Sequence, residues 1–144
     1  MAKPIFFLTV FITLLSLTAY AGADDILGIW RNPTGNGHVE IFKENGKYYG
    51  RLVWLKKTID TDGKPFLDKN NPNKQHCNKP LLGLIMLRDF LFNNGEWTGG
   101  KVYNPDDGKE YKSYLKLKDE KTLSIRGFIG FSWIGKTLTF QRVR

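Results

Sequence analysis

His38-Val39-Glu40-Ile41-Phe42-Lys43-Glu44-Asn45-Gly46-Lys47-Tyr48-Tyr49-Gly50-Arg51-Leu52-Val53-Trp54-Leu55 is the stretch on which the architecture turns. Val39 and Ile41 alternate with His38 and Glu40, the period of a strand with one buried face. Asn45-Gly46 follows, and both residues accept the positive φ that a two-residue turn between antiparallel strands demands. Lys47 to Leu55 then runs back, rich in aromatic and β-branched residues that suit a pleated, half-buried surface. The stretch reads as a hairpin.

The rest of the chain after residue 23 repeats the device. Upstream, Ile26 to Arg31 is a short run closed by Asn32-Pro33. Downstream, residues 56–80 are polar and rich in Asn, Asp, Lys and Pro, a single long loop of the kind that is functional or mobile. Leu81 to Phe92 is the most apolar stretch of this part, either a strand buried on both faces or a short helix, since periodicity does not separate the two. Trp97 to Tyr103, Lys109 to Lys118, Thr122 to Ile129 and Lys136 to Val143 are further strands, divided by Asn93-Asn94-Gly95, by Asn104-Pro105-Asp106-Asp107-Gly108 and by a turn at Gly130 to Gly135. About eight strands joined mainly by tight turns predict an all-β fold, an eight-stranded antiparallel up-and-down barrel, because closure removes exposed edges. A β-sandwich is the alternative.

The first 23 residues have a different character. Lys3 is their only charge, Ile5 to Leu17 is an almost unbroken apolar run, and small residues follow at Ala19, Ala21 and Ala23. That is the order of a cleavable secretory signal, and the apolar core falls short of the about 20 residues of a spanning helix. Residues 1–23 are therefore expected to be a signal peptide and 24–144 one exported domain, periplasmic or secreted, cut near Ala21 or Ala23. No cysteine stands where a lipid anchor would need one, and no second stretch is apolar enough to span a membrane. Cys77 is the only cysteine, so no intrachain disulfide forms and packing must carry stability. The net charge of +8 is spread along the chain rather than clustered, which reads as a solvated surface and not a nucleic-acid site.

Gly28-Ile29-Trp30 opens the first strand, and Arg142 lies near the end of the last. In a closed meander these strands are neighbours, and a guanidinium over an indole face is worth roughly 0.5–2 kcal/mol. This G-x-W with a late arginine resembles the lipocalin and wider calycin barrels, making Gly28, Trp30 and Arg142 a structural seam. A broader resemblance runs in order through Tyr49-Gly50-Arg51-Leu52-Val53-Trp54, Asn71-Pro72, Pro80-Leu81-Leu82-Gly83, Trp97-Thr98-Gly99-Gly100, Tyr103 to Lys109, Tyr111, Leu123, Arg126-Gly127-Phe128-Ile129-Gly130 and Gln141-Arg142-Val143. Together these are similar to a family of small exported bacterial proteins known only as a domain of unknown function. The resemblance implies a lipocalin-like fold and an extracytoplasmic compartment, with no catalytic or binding residues to carry over.

Enzyme signatures are poor. In Gly130-Phe131-Ser132-Trp133-Ile134-Gly135 the second glycine is one place too late for a nucleophile elbow. His76-Cys77 offers two metal ligands where zinc needs three or four from the protein. Asp60-Thr61-Asp62-Gly63 begins like a calcium loop, but Pro65 and Asn71 occupy the positions that need glycine and a bidentate glutamate. Asp106-Asp107 and Asp119-Glu120 sit in turns, without a nearby histidine in sequence. No catalytic residue, metal site or cofactor is predicted.

Strand parity, with Glu40, Arg51 and Arg126 outward, turns Val39, Ile41, Tyr48, Leu52, Trp54, Tyr111, Leu115, Leu123, Ile125 and Phe140 inward. Each is an ordinary core residue, but a barrel of this size either packs its interior or holds one small guest. The first reading is a non-enzymatic barrel binding a small amphipathic ligand at Tyr48, Leu52, Trp54, Tyr111, Leu115, Ile125 and Phe140. The alternative is an envelope interaction module that uses its basic surface or the 56–80 loop on a packed barrel. Oligomeric state is left open. The leader generates a first prediction: intact mass of protein from the envelope fraction begins near Gly22 or Asp24, whereas Met1 retained on membrane-bound material would refute cleavage.

Overall fold

The computed structural model describes residues 2–3, 21–130 and 135–144. Most of the expected leader, and the centre of the turn expected at Gly130 to Gly135, lie outside these residues. Eight strands follow in chain order: β1 (Gly28–Arg31), β2 (Gly37–Glu44), β3 (Lys47–Leu55), β4 (Ile85–Asn93), β5 (Glu96–Asn104), β6 (Lys109–Asp119), β7 (Thr122–Phe128) and β8 (Gly135–Arg142). Each pairs antiparallel with the next, and β8 returns to β1 through Trp30↔Arg142 and Arg31↔Gln141. The sheet is a closed eight-stranded barrel, and the sandwich alternative is excluded.

Turn chemistry sets the hairpins. Asn45 and Gly46 adopt φ of 50° and 77°, and Asn94 and Gly95 repeat this at 48° and 81°. Both are the left-handed pairs that match strand twist. These turns, with 119–121 and the incoming segment 21–27, form the floor of the barrel. The mouth carries the 32–36 connection, the long 56–84 segment and the 104–108 turn.

Inward side chains from all eight strands meet in one hydrophobic core. Trp30, Phe90, Trp97 and Leu123 retain no exposed surface, so no gap of water size adjoins them. Space for these large groups comes from glycines on opposing strands. A Cβ on Gly50 would lie 2.7 Å from Leu87 Cδ1, and one on Gly100 would lie 2.5 Å from the Phe90 ring.

Two expectations are corrected by irregular registers. Leu81 to Phe92 is neither a strand buried on both faces nor a helix. Its strand begins at Ile85, and Ile85 and Leu91 are exposed while Leu87 and Phe90 are buried. An up-and-down barrel covers only the inner face of a strand. Leu87 and Phe90 are three apart because Gly50↔Leu87 and Tyr48↔Phe90 set two residues of β3 against three of β4, a bulge in which Asp89 takes φ 62°. The inward placement of Trp54 also fails. Leu52 pairs with Val39 but Trp54 pairs with the adjacent His38, so β3 has gained one residue. Trp54 is consequently 42% exposed and stacks on His38 with ring centroids 4.3 Å apart.

Gly50 has no positive φ, so its backbone would accept alanine while its surroundings would not. Gly50→Ala is expected to cost about 1–3 kcal/mol through overpacking against Leu87, measured by urea unfolding. An unchanged midpoint would show that Leu87 moves aside freely.

Candidate functional site

At the floor, the Arg142 guanidinium lies over the Trp30 ring, 4.2 Å from its centroid. Trp30 Nε1 donates to the Ile26 carbonyl at 2.9 Å. Arg142 donates to the carbonyls of Glu120 (2.6 Å), Leu27 (2.8 Å) and Asp25 (2.5 Å). One side chain thereby ties β8, the β6–β7 turn and the incoming segment together. Gly28 makes room for this: it holds φ 131°, and a Cβ there would lie 2.5 Å from the Arg144 carbonyl oxygen.

The same floor takes up the polar end of a residue read as ligand-binding. Tyr48 is buried, and its hydroxyl donates to Asp24 Oδ1 at 2.7 Å, where Lys43 Nζ also donates at 3.0 Å. The tyrosine hydrogen bond, and then that from Lys43, hold the Asp24 carboxyl below its ordinary value. Burial first, and Asp24 second, push the Tyr48 phenol up. Leu52, Leu115, Ile125 and Phe140 are all buried members of the core and pack within it. Tyr111, half-buried near the mouth, donates to the Asp107 carboxylate. Trp54 lies outside. Two open surface cavities lie among the described residues, one bordered by the 56–84 segment and one by residues 31–35, and none of these seven side chains lines either one.

The larger cavity is a groove of about 690 Å³ on the outer wall. The 56–84 segment builds it by folding back as a strap. Leu67 and Pro80 form a bridge, Gly83 N donates to the Leu52 carbonyl at 2.7 Å, and Leu52 N donates to that of Leu84 at 2.9 Å. Asn70 Nδ2 fastens the strap to the carbonyls of Pro105 and Asp106 at 3.1 and 3.0 Å. Its anchor is Asp68, only 1% exposed, which accepts from the Tyr103 hydroxyl at 2.6 Å and from Asn71 Nδ2 at 2.7 Å. Burial, with the Asp68 hydrogen bond second, pushes the Tyr103 phenol up.

The groove combines an apolar wall with one of mixed charge, to which Glu110 also contributes. Leu82, Leu84 and Ile85 supply the apolar side, while His76, Lys79 and Arg88 supply the polar side, with Arg88 ion-paired to Glu110. Cys77 donates weakly to the Lys74 carbonyl at 3.1 Å. Among the described residues, no three of His, Cys, Asp and Glu converge as a metal site would need. Sequence reasoning pointed to the 56–80 loop but missed Asp68, Tyr103 and Arg88. Parity concealed Tyr103: six residues from the inward Trp97 it should face the core, and only the bulge between Trp97 and Gly100 turns it to the outer wall. An aspartate among many in a polar loop gave no signal.

A family model described as "Uncharacterized protein conserved in bacteria (DUF2147)" matches residues 28–142. No curated protein matches the chain. Among solved structures, protein HP1028 from the human pathogen Helicobacter pylori, described as belonging to the lipocalin family, is 29% identical, with a TM-score of 0.69 over 82% of each chain.

Arg142→Ala is expected to cost about 2–4 kcal/mol, from the lost ring contact and charge-assisted hydrogen bonds. Arg142→Lys should lose most of the same amount, since an ammonium cannot span three carbonyls as a guanidinium fork does. Chemical denaturation checks both, and a lysine variant as stable as the parent would make the charge alone responsible. Acid unfolding tests Asp24. A lowered carboxyl contributes stability above its unfolded value of 3.8 and loses it as pH falls through the lower folded value. Asp24→Asn should therefore be less stable at neutral pH and show a smaller further loss below pH 4, followed by tryptophan fluorescence.

Proposed function

The chain belongs to the bacterial DUF2147 family, and on that premise we propose that it is an exported, non-enzymatic binding protein that takes a small amphipathic molecule in the groove beneath its strap. The observation that carries this is the contrast between inside and outside. The core side chains are packed, whereas the groove's volume of about 690 Å³ falls within the 300–1,000 Å³ typical of small-molecule sites. Leu82, Leu84 and Ile85 suit an aliphatic body. Lys79 and His76 suit an anionic or strongly accepting head. The apolar leader and its small residues support export.

A second reading places the guest in the barrel mouth. Val102, Tyr111 and Leu138 there are only half-buried, and a structure assigned to the lipocalins shares the fold. The two sites separate by mutation. Native mass spectrometry of protein from its own envelope should show a co-purifying small molecule, and dodecanoate serves as the titration probe. Leu82→Asp and Lys79→Ala are each expected to weaken dodecanoate binding about tenfold, or 1.4 kcal/mol, with Tyr111→Phe near parent. The reverse pattern would favour the mouth, and no binding at either site would refute the amphipathic ligand.

A further inference from the structure

We propose that the leader is removed between Ala21 and Gly22, and that the α-ammonium so created on Gly22 becomes part of the barrel floor through Asp25. This rests on the export reading above. Ala19-Tyr20-Ala21 and Ala21-Gly22-Ala23 both present the small-x-small pattern that a signal peptidase accepts. The fold does not treat their two products alike.

Consider first a cut after Ala23. Trp97 is wholly buried, and its indole Nε1 donates to the Ala23 carbonyl at 3.1 Å. Ala23 also packs against the core. Gly22 carries two further bonds: its carbonyl accepts from Asp25 N at 3.2 Å, and its nitrogen donates to Asp25 Oδ2 at 2.6 Å. Cleavage after Ala23 discards all of these and takes from the Trp97 indole N–H its acceptor, together with the Ala23 packing against the core.

A cut after Ala21 keeps every one of them and, among the described residues, gives up only the partly buried Ala21 methyl. The chemistry also improves one bond. Water's oxygen joins the Ala21 carbonyl carbon, the bond from that carbon to Gly22 nitrogen breaks, and the nitrogen takes up the protons. The leader departs as a carboxylate, and Gly22 is left as an ammonium. That ammonium stands where the amide already met the Asp25 carboxylate, so a neutral donor becomes a charged one, which shortens and strengthens such bonds. Asp25 also presents its backbone carbonyl to Arg142. The new terminus therefore joins the network that holds the floor.

The test begins with N-terminal sequencing and intact mass of the protein purified from its own envelope. A start at Gly22 is expected. A start at Asp24 would overturn the proposal while leaving export standing, and retention of Met1 would bring down the export reading as well. Ala19→Leu in the full precursor then closes the first site and leaves the second. Exported product starting at Asp24 should melt about 5–10 °C below the parent, and accumulation of uncut precursor would equally support a single processing site. An Asp24-start product with the parent Tm would refute the structural role. Asp25→Asn should lower the parent's Tm at low salt and lower it less at high salt; no change at either would exclude the ammonium pair.

Discussion

The closing seam between β1 and β8 is the constraint on which the barrel depends. β1 is four residues long, and only Trp30 and Arg31 pair across to Arg142 and Gln141. Two neighbouring backbone bonds extend the join, from Val143 N to the Ile29 carbonyl and from Ile29 N to that of Arg144, at 2.7 and 2.8 Å. Arg142 strengthens this short ladder because its side chain works at right angles to it. It covers the Trp30 face and gathers three carbonyls from outside the seam. Without such a cross-tie, an edge this short would be open to fraying and to pairing with another chain.

Closing the sheet commits the interior. An eight-stranded barrel encloses little more than its own side chains, and here the two largest are the tryptophans Trp30 and Trp97. Gly50 and Gly100 yield their inner positions to Leu87 and Phe90. Tyr48 is bound to Asp24 at the floor. On the outer wall the strap lies over Tyr103 and is held by a buried acid. Burying Asp68 is costly unless its oxygens are satisfied, and the Tyr103 hydroxyl and Asn71 amide satisfy them. The long polar segment is thereby fastened and shaped without a hydrophobic core of its own.

The floor and the strap share a physical logic. Both are irregular segments anchored to the barrel by specific polar contacts rather than by sheet pairing, and both place a carboxylate against a barrel tyrosine: Asp24 with Tyr48, and Asp68 with Tyr103. Among the described residues, no buried side-chain nitrogen or oxygen lacks a hydrogen-bond partner. Such networks specify one arrangement, since displacing any member leaves another buried and unpaired.

The sequence by itself determined the strand count, the hairpin turns, the antiparallel meander and the meeting of Trp30 with Arg142. Those features follow from local rules: period-two alternation, the φ demands of Asn-Gly turns, and the adjacency of first and last strands on closure. Parity then failed where a single extra residue entered a strand. The bulge near Val53 turned Trp54 outward, and the one at Asp89 set Leu87 and Phe90 on the same side, because a bulge is a relation between two strands and neither sequence shows it alone. The groove was hidden for a similar reason. Asp68 and Tyr103 are 35 residues apart, and nothing local distinguishes that aspartate from its solvated neighbours. Only the tertiary fold, by burying one carboxylate against one phenol, decides which polar residue of a polar loop is structural.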